Sequence, residues 1–369
     1  MENLNQKNAN VENSDINETY KLNNLLNNLN YTINLDNEKM NDLEFVEYKS
    51  ELDTLNLIYP IDKKNSFRIL YDNQIKRFWR ADDFDFERDL KDLENIQYEM
   101  LELLSIVLLF FKDADNIVID NISENCRKHF SNNPLIMMNY NFQKMMEDIH
   151  VEVYHTTLGV FLKNKRFRNI VSKNKDKVKK IIKKIENIKT ENIPLSDNIL
   201  YFICIEGILF ISSFLIIDLF KFSNKLNQLV NSNEMIFQDE RLHTKLGIEI
   251  YKSLNEVDKT SKDRVIEIID NIVSLEEELI TEIFSDIKKD NIVLYNPEEI
   301  IMHVKYTADS ILEDLGFIKY YNVPTPFPFS LNTKDGVNVN FFEKTNTNYR
   351  ISNSIKQGEI DEIFQTLNA

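Results

Sequence analysis

Three places in the chain set a glutamate three residues before a histidine: Glu147/His150, Glu152/His155 and Glu240/His243. On a helix, positions three apart share a face, so each pair presents a carboxylate and an imidazole to the same point. With 60 acidic residues and five histidines in 369, such a coincidence is expected roughly once, against three found. Hard carboxylate oxygens with one imidazole per metal suit iron or manganese and leave positions open for dioxygen. A structural zinc site would instead close its shell with cysteine and histidine. The chemistry these spacings point to is therefore oxidative. Glu147/His150 and Glu152/His155 fall on one stretch, offset by about 140° around a helix axis. Both cannot serve one site, and spacing alone leaves the choice open.

A two-metal carboxylate bundle needs two Glu-x-x-His pairs and one carboxylate from each of two further helices. Acids stranded in apolar surroundings are the candidates, because an ionised carboxylate there needs a cation or a partner. Asp115 follows LLSIVLLFFKDA, and Glu206 sits inside YFICIEGILFISSF. Asp115, one pair on 133–162, Glu206 and Glu240/His243 place the required ligand types on four successive helical segments.

Those segments are read from apolar periodicity. Helical patterns cover 90–119, 133–162 (with Pro134 in its first turn), 201–220, 227–254, 258–288 and 297–314. Residues 173–189 form a lysine-rich, polar-faced surface helix or connection. The run 201–220 has the length of a membrane span. Glu206 and Asp218 within it, and the lack of a basic flank, favour a helix at the centre of a bundle and no membrane association. Six glycines and seven prolines are too few for an all-β chain. The first 37 residues hold 13 asparagines and read as a solvated extension. The expectation is an all-α protein: an Asn-rich, mostly disordered extension at 1–50, a helical domain at 51–332, and a flexible tail at 333–369.

The formal net charge of −16 argues against nucleic acid as a partner. Neither GxGxxG nor a Walker A loop is present, so no nucleotide phosphate cradle is expected. Two cysteines, Cys126 and Cys204, exclude a disulfide scaffold and fit a reducing, cytoplasmic location.

With these residues in place, the sequence resembles the small, radical-generating subunit of class I ribonucleotide reductase from about Tyr59 to Tyr349. The strings that carry the resemblance are FWRADDFD (78–85), FFKDADNIV (110–118), NFQKMMEDIHVEVY (141–154), IEGILFISSF (205–214), FQDERLH (237–243), LGFIKYYNV (315–323) and NFFEKTNTNY (340–349). It implies a ferritin-like di-metal carboxylate bundle with extra helices. It also selects Glu147/His150 over Glu152/His155, so that the ligand set is Asp115, Glu147, His150, Glu206, Glu240 and His243. Two iron ions per chain are implied, and a mixed manganese–iron pair suits the same ligands.

Tyr154 falls on the family's radical tyrosine, with Phe210, Phe214 and Ile236 as its apolar cage. Trp79 falls on the relay tryptophan, and Asp239 on the acid that bridges it to His150. Tyr349 falls on the relay tyrosine of the tail, which would dock into the large subunit through Ile363, Phe364 and Leu367. The implied partners are that large subunit and a second small subunit, identical or paralogous. Departures include Gln238, where an arginine commonly stands, Arg241 inside the second Glu-x-x-His, and a tail without the usual acidic, Phe-ended sequence. The alternatives on the same bundle are a non-radical structural or chaperoning paralogue and a stand-alone di-iron oxidase.

Overall fold

The computed structural model describes residues 63–121, 127–186, 193–287, 296–324 and 326, and of these 114–121, 127–128 and 186 by backbone alone. The segments 1–50 and 333–369, expected as tails, lie outside the described residues. Within the described residues the chain is helical and contains no strand. The described residues divide into two compact units, one built from 63–78 with 121 and 127–143, the other from Trp79–Asp120 with the described residues from Lys144 onward.

In the first unit, helix α1 (Ser66–Lys76) is opened by Asn65, whose side chain accepts from the amides of Phe67 and Arg68. Gln74 donates to Asn139 Oδ1 at 2.7 Å, and Asn139 donates back to the Phe67 carbonyl at 2.9 Å. These buried amides are thereby satisfied rather than stranded.

The long helices follow, with Pro134–Phe161 counted in the second unit only from Lys144 onward. Helix α2 (Tyr98–Asn121) is buried without a break from Leu101 to Phe111. The sequence pattern starts this helix at residue 90, eight residues early. Residues Leu90–Asn95 form a 3-10 turn instead, and Ile96 is extended. The reason lies elsewhere in the chain: Asp89 accepts from the amides of Gln228 and Leu229, and Asp92 from that of Leu226. These two acids cap a helix start 134 to 140 residues further along the chain, which holds their own segment out of α2.

Helix α3 (Pro134–Phe161) begins at its proline, with Asn133 accepting from the Ile136 amide at 3.1 Å. The lysine-rich stretch belongs to helix α4 (Lys165–Glu186), which buries Phe167, Ile170, Val171, Val178, Ile181 and Ile185 on one face. Lys173 reaches Glu102 and Asn174 donates to Ser105, so the polar atoms of α2 are met by α4.

The most apolar run is two helices rather than one. Helix α5 (Leu195–Cys204) passes through a π-turn at Ile205–Leu209 into α6 (Ile211–Phe222). The combined stretch is apolar enough to cross a membrane by composition, yet most of it is buried inside the protein, as a core helix is. Helix α7 (Asn227–Ser253) packs on α5 and α6, and α8 (Lys262–Phe284) packs on α5, the π-turn and α9 (Pro297–Asp314). Helix α9 is opened by a reciprocal Asn296–Glu299 capping pair with Pro297 at its start. After it, Asp309 accepts from the amides of Tyr320, Tyr321 and Asn322 at 2.7–2.9 Å and fixes the irregular segment that follows.

Candidate metal centre

Three elements of the second unit converge on one buried point. Helix α3 supplies Glu147 and His150, the π-turn supplies Glu206, and α7 supplies Glu240 and His243. One ligand atom each from Glu147, Glu206, Glu240 and His243 lies within 4.8 Å of all the others. His150 joins them through Nδ1, 3.2 Å from Glu147 Oε2 and 3.1 Å from Glu240 Oε1. His243 also turns Nδ1 inward, 3.0 Å from Glu147 Oε1, 2.9 Å from Glu240 Oε2 and 3.7 Å from Glu206 Oε2. Glu147 and Glu240 therefore each extend one oxygen to each imidazole.

The structure brings together five of the six expected ligands. Asp115 lies on α2, and its side chain is outside the described residues. Glu152 and His155 are exposed, so the second overlapping pair on α3 does not enter the cluster.

The π-turn is what aims Glu206. An extra residue in the turn rotates the chain relative to an unbroken α-helix, and such bulges gather at functional sites. Gly207 lets the turn sit tightly on its neighbours: a Cβ there would lie 2.7 Å from Ile311 Cδ1 and 2.9 Å from Thr244 Cγ2.

The electrostatics fit a cationic guest. Burial, and then the charges of Glu240 and Glu147, push the Glu206 carboxyl well above the usual carboxylate range. Burial works against charging His150, yet its hydrogen bonds to Asp239, Glu147 and Glu240 raise it well above an ordinary imidazole. His243 is raised against burial by Glu147 and Glu240. Glu240, despite burial, is held well below its normal value by the charge of His243 and the hydrogen bond to His150. Three carboxylates in a dry space demand positive charge, and protons on the inward Nδ1 atoms supply it where a divalent ion would. The donor set of hard oxygens with two imidazoles, one for each of two metals, fits a two-metal centre.

Around this cluster, Trp79 donates from Nε1 to Asp239 Oδ2 at 2.8 Å, and the same oxygen lies 3.2 Å from His150 Nε2. Asp239 thus occupies the outward nitrogen of His150, which leaves Nδ1 for the centre. Tyr154, one turn after His150 on α3, is fully buried. Its ring stacks on Phe111, centroids 4.5 Å apart and planes 7° apart. Phe214 and Phe210 pack on Phe111 at 5.0 and 6.0 Å, and Ile236 is buried on α7. Sequence reasoning assigned Phe210 and Phe214 to the phenol's surroundings and overlooked Phe111. The available signal was its place in FFKDAD, four residues before Asp115. Tyr349, Ile363, Phe364 and Leu367 lie outside the described residues.

A family model described as ribonucleotide reductase, small chain, matches residues 56–328. Human ribonucleoside-diphosphate reductase subunit M2 is 30% identical over 292 residues, which span 78% of this chain and 73% of that protein. The structure of the Rnr4 homodimer of Saccharomyces cerevisiae ribonucleotide reductase superposes with a TM-score of 0.61 at 22% identity, covering 80% of this chain and 96% of that one. The dimanganese(II)-NrdF structure of Streptococcus sanguinis gives 0.60 at 16%, covering 75% and 98%. Both share the helical fold found here.

Proposed function

Since the chain belongs to the ribonucleotide reductase small-chain family and is a subunit of that oxidoreductase, we propose that it forms and stores a tyrosyl radical at Tyr154. A separate large subunit would use that radical to reduce ribonucleotides to deoxyribonucleotides. The observation that carries this reading is the setting of Tyr154: wholly buried, stacked on Phe111, and one turn from His150. A phenoxyl radical survives only where water and reductants are kept away.

Two iron ions, or a manganese–iron pair, held by Asp115, Glu147, His150, Glu206, Glu240 and His243 would supply dioxygen reduction and with it the one-electron oxidant. Glu147 and Glu240, each reaching toward both imidazoles, hold the two halves of the ligand set together. Asp239 keeps His150 in the orientation that turns Nδ1 inward. Phe111 covers one face of the phenol, backed by Phe210 and Phe214. Trp79, tied to His150 through Asp239, would carry the oxidising equivalent outward, and Tyr349 would pass it on from the tail. The tail, 333–369, would dock into the large subunit through Ile363, Phe364 and Leu367. The yeast relative is a homodimer, and we extend pairing, with an identical or paralogous chain, to this protein in the cytoplasm.

The test is aerobic reconstitution with ferrous iron followed by electron paramagnetic resonance. A tyrosyl signal is expected from the native protein and none from Tyr154→Phe at equal iron content. Native protein that takes up iron fully yet gives the same silent spectrum as Tyr154→Phe would sink the reading.

A further inference from the structure

Glu276 is completely buried on α8, far along the sequence from every residue of the metal cluster. Its Oε1 accepts from the backbone amide of Ser212 at 3.0 Å. Ser212 is the second residue of α6, just after the π-turn that carries Glu206. A helix start leaves its first amides without partners within the helix. At an interrupted helix in a dry core, such an amide is costly unless another element meets it. The whole stretch from Glu206 to Ser213 is buried except Gly207, so water is a poor substitute for a protein acceptor.

Two neighbours already press the π-turn from one side, since Ile311 and Thr244 close around Gly207. The Ser212–Glu276 hydrogen bond fastens its far end to α8, which packs directly against the turn. We propose that Glu276 is a positioning residue for the metal centre, an acceptor on α8 that holds the π-turn in the register aiming Glu206 at the other ligands. This rests on reading Glu206 as a metal ligand. A glutamate is an extravagant choice for ordinary core filling, because burial pushes its carboxyl up to about 8 against the opposing pull of the Ser212 side chain and amide. Its second oxygen, Oε2, has no hydrogen-bond partner among the described residues. The acceptor is what the position uses, and a neutral side chain with an equivalent oxygen should serve as well.

The experiment measures Co(II) binding to metal-free full-length protein by titration calorimetry and by the visible absorption of the bound ion. Five variants accompany the native chain: Glu276→Gln, Glu276→Leu, Glu276→Asp, Leu279→Ala and Glu206→Ala. Glu276→Gln should bind as the native protein does, with the same spectrum. Glu276→Leu and Glu276→Asp should lose at least tenfold in affinity at one of the two sites and change the absorption bands. Glu276→Asp keeps the carboxyl but withdraws it by one methylene, and it decides the matter if the leucine variant does not fold. Leu279→Ala empties core volume one turn along α8 and should lower the melting temperature without altering affinity or spectrum. Native-like binding by a folded Glu276→Leu or by Glu276→Asp overturns the proposal, as does equal damage from Glu276→Gln. Native-like binding by Glu206→Ala, or no binding by the native protein, overturns the metal reading and this proposal with it.

Discussion

The indole of Trp79 and the imidazole of His150 lie nearly parallel, 14° apart with centroids separated by 5.8 Å. One oxygen of Asp239 serves both, 2.8 Å from the indole nitrogen and 3.2 Å from His150 Nε2. The relay proposed for Trp79 and the ligand role proposed for His150 thus depend on the same atom, and the two can be separated by substitution. Trp79→Phe removes the indole N–H while leaving Asp239 on His150. Iron uptake and the radical signal should persist, whereas deoxyribonucleotide formation with the large subunit should fall at least a hundredfold. Asp239→Ala frees the outward nitrogen and should weaken metal binding about 10–100-fold, the usual loss for such partners. Parallel metal analysis, paramagnetic resonance and two-subunit turnover distinguish the two variants.

Phe111 shields the Tyr154 ring by packing against it, and its removal should show in the lifetime of the proposed radical. Phe111→Ala takes away the ring stacked on Tyr154 and opens a void. The stability cost should be about 3–5 kcal/mol. If the protein folds, the signal should form and then decay several-fold faster than in the native chain. Decay of the paramagnetic signal after oxygen is removed provides the measurement.

Two glycines offer a matched contrast. A Cβ on Gly207 would meet the side-chain tips of Ile311 and Thr244 beside the π-turn. A Cβ on Gly247 would lie 2.6 Å from Ile203 Cγ1, where α7 passes α5. Gly207→Ala should therefore displace Glu206 and reduce metal affinity about tenfold or more. Gly247→Ala should chiefly destabilise, by about 1–3 kcal/mol through overpacking. Equilibrium dialysis with manganese and thermal unfolding, run on both, check the division.

The buried Glu276 carboxyl predicts a pH signature in stability. Its folded value, raised to about 8 from 4.5, lies above its unfolded one. The stabilising effect of the bound proton is then complete below about pH 4.5 and is lost as pH rises through about 8. Glu276→Gln carries no such proton, so its melting temperature relative to the native protein should rise steadily across that window. Thermal unfolding of metal-free protein at pH 6, 7, 8 and 9 gives the comparison, and a flat difference contradicts it.

Metal should act as a stabiliser of the same cluster. An ion that binds only the folded chain adds about 2.7 kcal/mol at a concentration 100 times its dissociation constant. Loading with ferrous iron under nitrogen should raise the melting temperature by several degrees, and chelation should reverse it. Glu240→Ala, which removes a carboxylate facing both imidazoles, should abolish most of that rise.

Much of this site could be read from the chain because helical spacing is local. Glu147 with His150, and Glu240 with His243, share faces by their positions alone, and α3, α7 and α9 begin and end close to where periodicity puts them. Pro134 marks a helix start through chemistry confined to one turn. The start of α2 departs from the sequence pattern for the opposite reason. Asp89 and Asp92 look like ordinary acids in a helical pattern, and only contact with Leu226, Gln228 and Leu229 gives them other work.

Residue type and spacing were enough to nominate the ligands, since metal chemistry restricts the donors and a helix repeats every few residues. Contacts across the bundle were needed to show that Glu147 and Glu240 each face both imidazoles, and that Glu152 and His155 face solvent. They were also needed to break the apolar run at Ile205–Leu209 and to set Glu276 against Ser212. No local pattern encodes those last features. A π-turn becomes favourable only when neighbouring helices press on its glycine and meet its amides, and that is a property of the packed core.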